Sequence, residues 1–191
     1  MSALWGAVEA ADTDPITALA AQLKLDPYPD KVGLCQGKYM DEQGQPYLLR
    51  AVAQAEAEMA LDPSDHEYPL VEGVPEFIAL ARDFVFGDGS VPVAEGRVSS
   101  VQTLSGSGAL RVAAECLMHV ASPSAAKAIW ISIPSWGNHA HIFNSVGLEV
   151  KHYRYLDDAG TALDFEGFRD DLANKIPEGS VLLLHSSAHN R

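Results

Sequence analysis

The chain carries Leu104-Ser105-Gly106-Ser107-Gly108-Ala109-Leu110-Arg111 at the junction of two segments with different patterns. The residues before this stretch, from Val98 onward, are rich in β-branched side chains and predict a strand. The residues after it, Ala109 to Val120, carry apolar side chains at helical spacing and predict a helix. The glycines and serines are therefore predicted to form a strand-to-helix turn.

Such a turn suits an anion, and phosphate in particular. Glycines let a ligand approach the backbone, hydroxyls can donate to it, and the first amides of a helix have no partner within the helix. We therefore predict a phosphate site at Ser105, Gly106 and Ser107, with a serine-capped helix as the plain alternative. Arg111 replaces the third glycine of a dinucleotide fingerprint, the Gly-Lys-Ser/Thr of a P-loop is absent, and Ser105 replaces the first glycine of a nucleophile elbow.

The rest of the chain predicts an α/β protein. Its carboxyl-terminal half alternates short apolar strands with amphipathic helices, which indicates a mostly parallel sheet with flanking helices. Predicted strands are Val98–Leu104, Ala128–Ile133, Leu148–Tyr153 and Val181–Leu184. Predicted helices begin at Asp14-Pro15, run from Pro46 to about Leu61 with Leu49, Val52 and Met59 buried, and cover Pro75–Phe86, Ala109–Val120, a short segment before Gly147, and Asp164–Lys175.

Composition limits the partners and the compartment. The 191 residues include 13 basic and 26 acidic side chains, a net charge of -13, which argues against nucleic acid and anionic membranes as partners. Cys35 and Cys116 lie far apart in the sequence, as free thiols of a reducing compartment do. The amino-terminal residues are acidic and lack arginine, so we predict a cytoplasmic protein, or a mitochondrial one if a presequence has been removed.

Polar clusters follow two of the predicted strands. Ser135-Trp136-Gly137-Asn138-His139 follows the strand that ends at Ile133, and His185-Ser186-Ser187-Ala188-His189-Asn190 follows the last strand. Ligands of parallel α/β sheets bind beyond the carboxyl ends of the strands. Trp136 offers a flat face for a ring ligand, with a simple cover for the sheet end as the alternative. The paired histidines give only a weak indication of metal, because no cysteine cluster accompanies them.

Taken together, these motifs resemble the aspartate aminotransferases, which are fold-type I enzymes that use pyridoxal 5'-phosphate. The resemblance extends over essentially the whole chain. It rests on Val101–Arg111, Pro134–His139, Gly147–Val150, Tyr153–Tyr155, Leu163–Gly167, His189-Asn190, His66–Tyr68 and Asp14–Ile16. It implies amino transfer between L-aspartate and 2-oxoglutarate, with a partial large domain of the fold-type I architecture in this chain.

The resemblance also implies which residues contact the cofactor. Ser105, Gly106 and Ser107 would hold its phosphate, in agreement with the phosphate site predicted from the strand-to-helix turn. Trp136 would stack on the pyridine ring, and Asn190 would donate to the phenolic oxygen. Trp136 and Asn190 would also border the amino acid and 2-oxo acid substrates.

Three further residues receive roles from the resemblance. His139 would support an aspartate that pairs with the pyridine nitrogen, and Tyr68 would reach the phosphate of the neighbouring subunit in a homodimer. Gly37 would lie near the substrate carboxylate. The implied division places an amino-terminal arm and part of a small domain in residues 1–45, and a partial, truncated cofactor-binding large domain in residues 46–191.

The sequence departs from the family pattern in two places. None of its six lysines occupies the position of the family's Schiff-base lysine; they are Lys24, Lys31, Lys38, Lys127, Lys151 and Lys175. Cys35–Met40 replaces the family's usual Gly-Val-Gly-Ala-Tyr-Arg. An alternative is therefore a catalytically inactive, truncated relative that acts through dimerisation. A nucleotide-dependent oxidoreductase is a third class, disfavoured by the missing glycine.

Overall fold

The computed structural model describes residues 6–10, 13–62, 67–120 and 128–190. The chain divides into two compact units, Met1–His66 and Glu67–Arg191. In the first unit, helix α1 is Pro15–Leu25 and begins as predicted, because the Asp14 carboxylate accepts the Thr17 amide at 2.8 Å. At its other end, the Lys31 Nζ donates to the backbone oxygens of Leu23 and Asp26.

The second helix, α2, is Arg50–Leu61, so its predicted start at Pro46 is wrong. Pro46 instead forms an antiparallel bridge with Met40, and the Tyr47 amide donates to the Tyr39 oxygen at 3.0 Å. Pro46 is therefore part of this bridged turn and not of the helix, which begins four residues later, at Arg50. The predicted burial on α2 is also wrong: the exposed fractions of three apolar side chains are 53% at Leu49, 42% at Val52 and 74% at Met59.

The second unit contains five helices, a π-helical turn and three strands among its described residues. The predicted helix Pro75–Phe86 is confirmed, and the predicted helix over 164–175 is divided at Asp170 into an α-helical and a π-helical part. The bounds are α3 Pro75–Phe86, α4 Val91–Ala94, α5 Ser105–Val120, β1 Ala128–Ile133, α6 Gly137–Ser145, β2 Glu149–Arg154, α7 Phe165–Asp170, the π turn Asp171–Lys175 and β3 Val181–Leu182.

The predicted strand Val98–Leu104 is wrong, because the described residues there form no strand. Helix α5 also begins four residues earlier than predicted, at Ser105 rather than Ala109. The serines and glycines therefore form the first turn of the helix and not a loop before it. β-branched residues are compatible with a strand, but a strand needs a hydrogen-bonding neighbour to form.

The predicted parallel sheet is confirmed, with strand order β2-β1-β3. Residues of β1 alternate between two buried faces. Ile129 and Ile131 face a core that includes Ala114 of α5 and Phe143 of α6. On the opposite face, the Tyr153 ring lies 5.3 Å from that of Phe168 in α7. Helices therefore cover both faces of the sheet.

The carboxyl end of the sheet is tied to the segment that follows β3. The Leu183 amide donates to the Trp130 oxygen at 2.8 Å, and the Tyr153 hydroxyl donates to the Leu183 oxygen at 2.7 Å. Strand β3 ends at Leu182, two residues before the predicted end, and the Leu184 side chain is 62% exposed. Among the described residues, no helix combines the length and hydrophobicity needed to cross a membrane.

Candidate functional site

The segment after β3 folds back over the start of α6. The Trp136 amide donates to the backbone oxygen of Asn190 at 2.9 Å, so two of the predicted site residues meet directly. The Asn190 amide donates to Nδ1 of His185 at 3.1 Å. Asn190 is thus held at both of its backbone polar atoms, and the residue is exposed.

Three imidazole rings pack together beneath this junction, and we call His139, His185 and His189 the histidine cluster. The rings of His185 and His189 are stacked, with centroids 4.1 Å apart, and His139 meets His185 edge-on at 5.2 Å. The Tyr155 ring stacks on His189 at 3.9 Å. Together with Tyr155, the histidine cluster joins α6, the residue after β2 and the segment after β3 through aromatic contacts.

Hydrogen bonds determine which nitrogens of the cluster carry protons. The Pro134 oxygen lies 3.1 Å from Nε2 of His189 and can only accept, so this nitrogen carries a proton. The Asn190 amide can only donate, so Nδ1 of neutral His185 is bare and its proton is on Nε2. Nε2 of His185 is buried and has no hydrogen-bond partner among the described residues.

The surroundings of His139 and His185 favour the neutral form of these two rings. Burial lowers the pKa of His139 below 6.5, and the charges of His185 and His189 lower it further. Burial also lowers the pKa of His185, with a further contribution from His189. Two hydroxyls complete the polar contacts: Ser135 Oγ lies 2.8 Å from Nδ1 of His139, and Ser132 Oγ lies 3.0 Å from Nε2 of His189.

Trp136 contacts this cluster through His139. Its half-buried indole meets the buried His139 ring edge-on, with centroids 5.3 Å apart and an interplanar angle of 88°. His139 therefore supports the indole and fixes its orientation. A ring held in this way can present a flat face to a planar ligand.

Ser105, Gly106 and Ser107 are exposed at the amino terminus of α5. Ser105 has a φ of 61°, which is unusual for a residue with a side chain, and its backbone oxygen accepts from Thr103 Oγ1 at 3.2 Å. The space around Gly106 is open, since a Cβ added there would meet nothing within 4 Å. The start of α5 thus offers amides, two hydroxyls and free space to an anion.

Tyr68 belongs to a loop anchored close to the start of α5. The Gln102 amide donates to the Glu72 oxygen at 2.8 Å, and the Val74 amide donates to Oε1 of Gln102 at 2.9 Å. Gly73 fits against this side chain only because it lacks a Cβ, which would lie 2.3 Å from the Gln102 Cβ. The Tyr68 side chain itself is 99% exposed.

Gly37 belongs to the first unit, and a Cβ added there would meet nothing within 4 Å. The structure thus brings together Trp136, His139 and Asn190 by direct contacts. Sequence reasoning did not assign roles to His185, His189 or Tyr155. The available signal is the four-residue spacing of His185 and His189 directly after a strand, a pattern that by itself indicates metal binding only weakly.

This arrangement, a parallel sheet with ring and polar groups beyond the carboxyl ends of its strands, is that of an α/β protein that binds a ligand at that edge. A family model for aminotransferase class I and II matches residues 29–191. The chain therefore belongs to the class I and II aminotransferases, and the resemblance predicted from the sequence is confirmed.

Individual relatives agree with the family. The chain is 40% identical over 189 residues to a mitochondrial aspartate aminotransferase of Xenopus tropicalis, covering 99% of this chain and 44% of the relative. It superposes on aspartate aminotransferase from the cytoplasm of Saccharomyces cerevisiae with a TM-score of 0.84 and 35% identity, covering 100% of this chain and 45% of the other.

An aromatic-amino-acid aminotransferase from Burkholderia pseudomallei, described as covalently bound to pyridoxal phosphate, matches with a TM-score of 0.86 and 36% identity, covering 98% of this chain and 46% of the other. The chain thus spans less than half the length of the relatives it matches.

Proposed function

We propose that the chain is the amino-terminal portion of a pyridoxal phosphate-dependent aspartate aminotransferase, which transfers an amino group between L-aspartate and 2-oxoglutarate. The observation that carries the proposal is the hydrogen bond between the Trp136 amide and the Asn190 oxygen. It brings a planar ring and a carboxamide to one edge of the sheet in a chain of this family. The aspartate aminotransferases among its relatives support the choice of substrates.

The chemistry of the assigned residues fits the cofactor. The open start of α5 suits its phosphate, the supported indole of Trp136 suits its ring, and the carboxamide of the exposed Asn190 suits its phenolic oxygen. When bound, pyridoxal phosphate supplies an electron sink for the bonds at the substrate's α-carbon. We assign Ser105, Gly106 and Ser107 to holding the phosphate.

The other assignments follow from the same proposal. Trp136 and Asn190 orient the ring and border the substrate, and His139 supports the acidic partner of the ring nitrogen. Gly37 lies near the substrate carboxylate, and Tyr68 reaches the phosphate site of a second subunit in a homodimer. The exposure of Tyr68 on an anchored loop supports its reach outward. We also propose that residues 1–45 form an amino-terminal arm and part of a small domain, and that residues 46–191 form part of the cofactor-binding large domain.

We further propose that these 191 residues alone do not catalyse amino transfer, because none of their six lysines occupies the position that the resemblance implies for the Schiff-base lysine. Two of the described lysines are engaged elsewhere, Lys151 with Glu149 at 3.3 Å and Lys175 with Asp171 at 3.3 Å. Added pyridoxal phosphate is expected to bind reversibly and to be removed by dialysis. A stable, reducible adduct mapped to any lysine of the chain contradicts this.

The location is proposed as cytoplasmic, with the mitochondrion as the alternative. The relatives include a protein from yeast cytoplasm and several mitochondrial ones. Fractionation of cells that produce the natural protein, with both compartments probed, decides between them.

Calorimetric titration of the full chain tests the cofactor assignment. Pyridoxal phosphate is expected to bind at least about tenfold more tightly than pyridoxal, because only the former engages the start of α5. Replacing Ser105 and Ser107 together by alanine is expected to remove most of that difference. Ser99→Ala, on an exposed residue before the helix, is the matched control. Equal binding of the two ligands contradicts the assignment.

A further inference from the structure

Asn190 is held at two backbone atoms, and the two contacts respond differently to acid. Its oxygen accepts from the Trp136 amide at 2.9 Å, a bond between groups that do not titrate. Its amide donates to Nδ1 of His185 at 3.1 Å, and this acceptor exists only while the ring is neutral. A protonated imidazole carries a proton on both nitrogens and cannot accept at either.

We propose that His185 is a positioning residue for Asn190: the neutral ring holds the Asn190 amide at Nδ1, and the protonated ring releases it. The proposal deepens the proposed function, because there the Asn190 carboxamide contacts the cofactor. His185 then links the acid–base state of the protein to the placement of that carboxamide. It touches no cofactor or substrate in this role and acts through the backbone of Asn190.

The groups around His185 favour the neutral form of its ring over the protonated form. In the described part of the chain, the titratable groups that face it are His139 from α6 and His189 from its own segment, with Tyr155 stacked on the far side of His189. Tyr153 of β2 donates to the Leu183 oxygen, two residues before His185. None of these groups is an anion at neutral pH, so none compensates a positive charge on the His185 ring.

The pH range of the release follows from this environment. Burial and the neighbouring His189 lower the pKa of His185 from 6.5, so the ring is neutral at physiological pH. The contact to Asn190 is complete above the ordinary histidine pKa and is lost as the pH falls through the lowered value. Protonation also places a cation in a stack of rings 4.1 Å apart, which opposes the packed arrangement.

Hydrogen exchange of the Asn190 amide in the full 191-residue chain tests the proposal without any cofactor. Exchange is measured by mass spectrometry at residue resolution between about pH 5 and pH 8 and corrected for the intrinsic rate. The Asn190 amide is expected to lose protection by about three- to tenfold on acidification, with a midpoint below 6.5. Protection that is independent of pH in the unaltered chain overturns the proposal.

Two substitutions of His185 distinguish the effect of the hydrogen-bond acceptor at Nδ1 from the effect of ring stacking. His185→Asn provides a side-chain oxygen near the position of Nδ1 that does not titrate in this range, and is expected to retain protection at both ends. His185→Phe retains a ring for the stack but has no acceptor, and is expected to leave the amide unprotected throughout. His141→Asn, on an exposed histidine of α6, is the matched control and is expected to keep the unaltered profile.

Circular dichroism shows whether each variant folds. If a variant does not fold, a second measurement on the unaltered chain still tests the proposal. Long-range ¹H–¹⁵N correlation spectra report the protonation of each imidazole nitrogen. A bare Nδ1 and protonated Nε2 of His185 at neutral pH are expected, and the opposite tautomer overturns the proposal. Because no ligand is added, failure of the chain to bind pyridoxal phosphate would refute the proposed function and leave this result standing.

Discussion

At the scale of single residues, the site depends on side chains from distant parts of the chain. The resemblance allowed Trp136, His139 and Asn190 to be named from the sequence, and the structure places them in contact. The tautomer of His185 and the stacking of Tyr155 on His189 could not be predicted in this way. These contacts depend on the path that the chain takes after β3, which no local pattern encodes.

Trp136→Ala is expected to weaken binding of pyridoxal phosphate to the chain by about five- to tenfold. The loss corresponds to removal of ring stacking worth roughly 1 kcal/mol or somewhat more. Calorimetric titration is the measurement. Trp136→Phe keeps an aromatic face and is expected to lose less. Unchanged affinity in the alanine variant would favour the simpler role of Trp136 as a cover for the end of the sheet.

Ser105→Gly is expected to raise the free energy of unfolding by about 0.5 kcal/mol and to weaken pyridoxal phosphate binding. Glycine adopts the φ of 61° without steric cost, but it removes a hydroxyl from the proposed phosphate site. Urea denaturation and calorimetry measure the two effects. Ser107→Gly, at a residue without positive φ, is the matched comparison and is expected to lower stability by about 0.5 kcal/mol. A loss of stability in Ser105→Gly would show that the backbone there is not under strain.

At the scale of elements, patterns predicted where helices lie better than where they begin. α1 begins at its aspartate cap and proline as predicted, because both signals are local. α2 begins four residues after its predicted start, because Pro46 forms a bridge with Met40 instead of the first turn of the helix. The strand predicted before α5 failed for a different reason, since strand formation depends on a neighbour that the sequence does not specify.

The start of the π turn is fixed by a buried carboxylate that joins it to β2. Asp171 accepts from the backbone amide of Arg154 at 2.8 Å and from its guanidinium at 2.7 Å. Lys175 Nζ lies 3.3 Å from the same carboxylate. These bonds, led by the guanidinium, lower the pKa of Asp171 from 3.8 to about 2.

The stability that this carboxylate contributes is expected to depend on pH in a defined range. Because the folded-state pKa is the lower one, the contribution is complete above 3.8 and is lost as the pH falls toward about 2. Its size is about 2 kcal/mol. Thermal unfolding across this range, compared between the unaltered chain and Asp171→Asn, is the measurement.

Asp171→Asn is expected to lower the free energy of unfolding near neutral pH by about 2–3 kcal/mol, because it leaves Arg154 and Lys175 without their buried partner. Asp170→Asn removes an exposed partner of the same arginine and is expected to cost under about 1 kcal/mol. Equal effects of the two substitutions would contradict the role assigned to the buried carboxylate.

At the scale of the whole molecule, helix α3 of the second unit exposes large apolar side chains in the part of the chain that the structure describes. On α3, the exposed fractions are 53% at Phe77, 71% at Leu80, 91% at Phe84 and 72% at Val85. The predicted helix is confirmed, but an amphipathic pattern does not specify what covers its apolar side. Clusters of exposed apolar side chains are uncommon on soluble monomers when they form large patches.

The isolated 191-residue chain is therefore expected to be marginally stable and to self-associate, slowed but not prevented by its net charge of -13. Sedimentation velocity and thermal unfolding are the measurements. The double substitution Leu80→Glu and Phe84→Glu is expected to reduce association. Ala53→Glu with Ala57→Glu adds the same charge to exposed positions of α2 and is the matched control. A monodisperse monomer with a sharp cooperative transition would contradict the expectation.

The strand order β2-β1-β3 determines the order in which the strands can pair during synthesis of the chain. β1 and β2 leave the ribosome close together and can pair early, whereas β3, which pairs with the other edge of β1, is synthesised last of the three. Through that interval one edge of the central strand has free amides and carbonyls. A nascent chain at this stage presents a template to which a chaperone, or the same strand of a neighbouring nascent chain, can add.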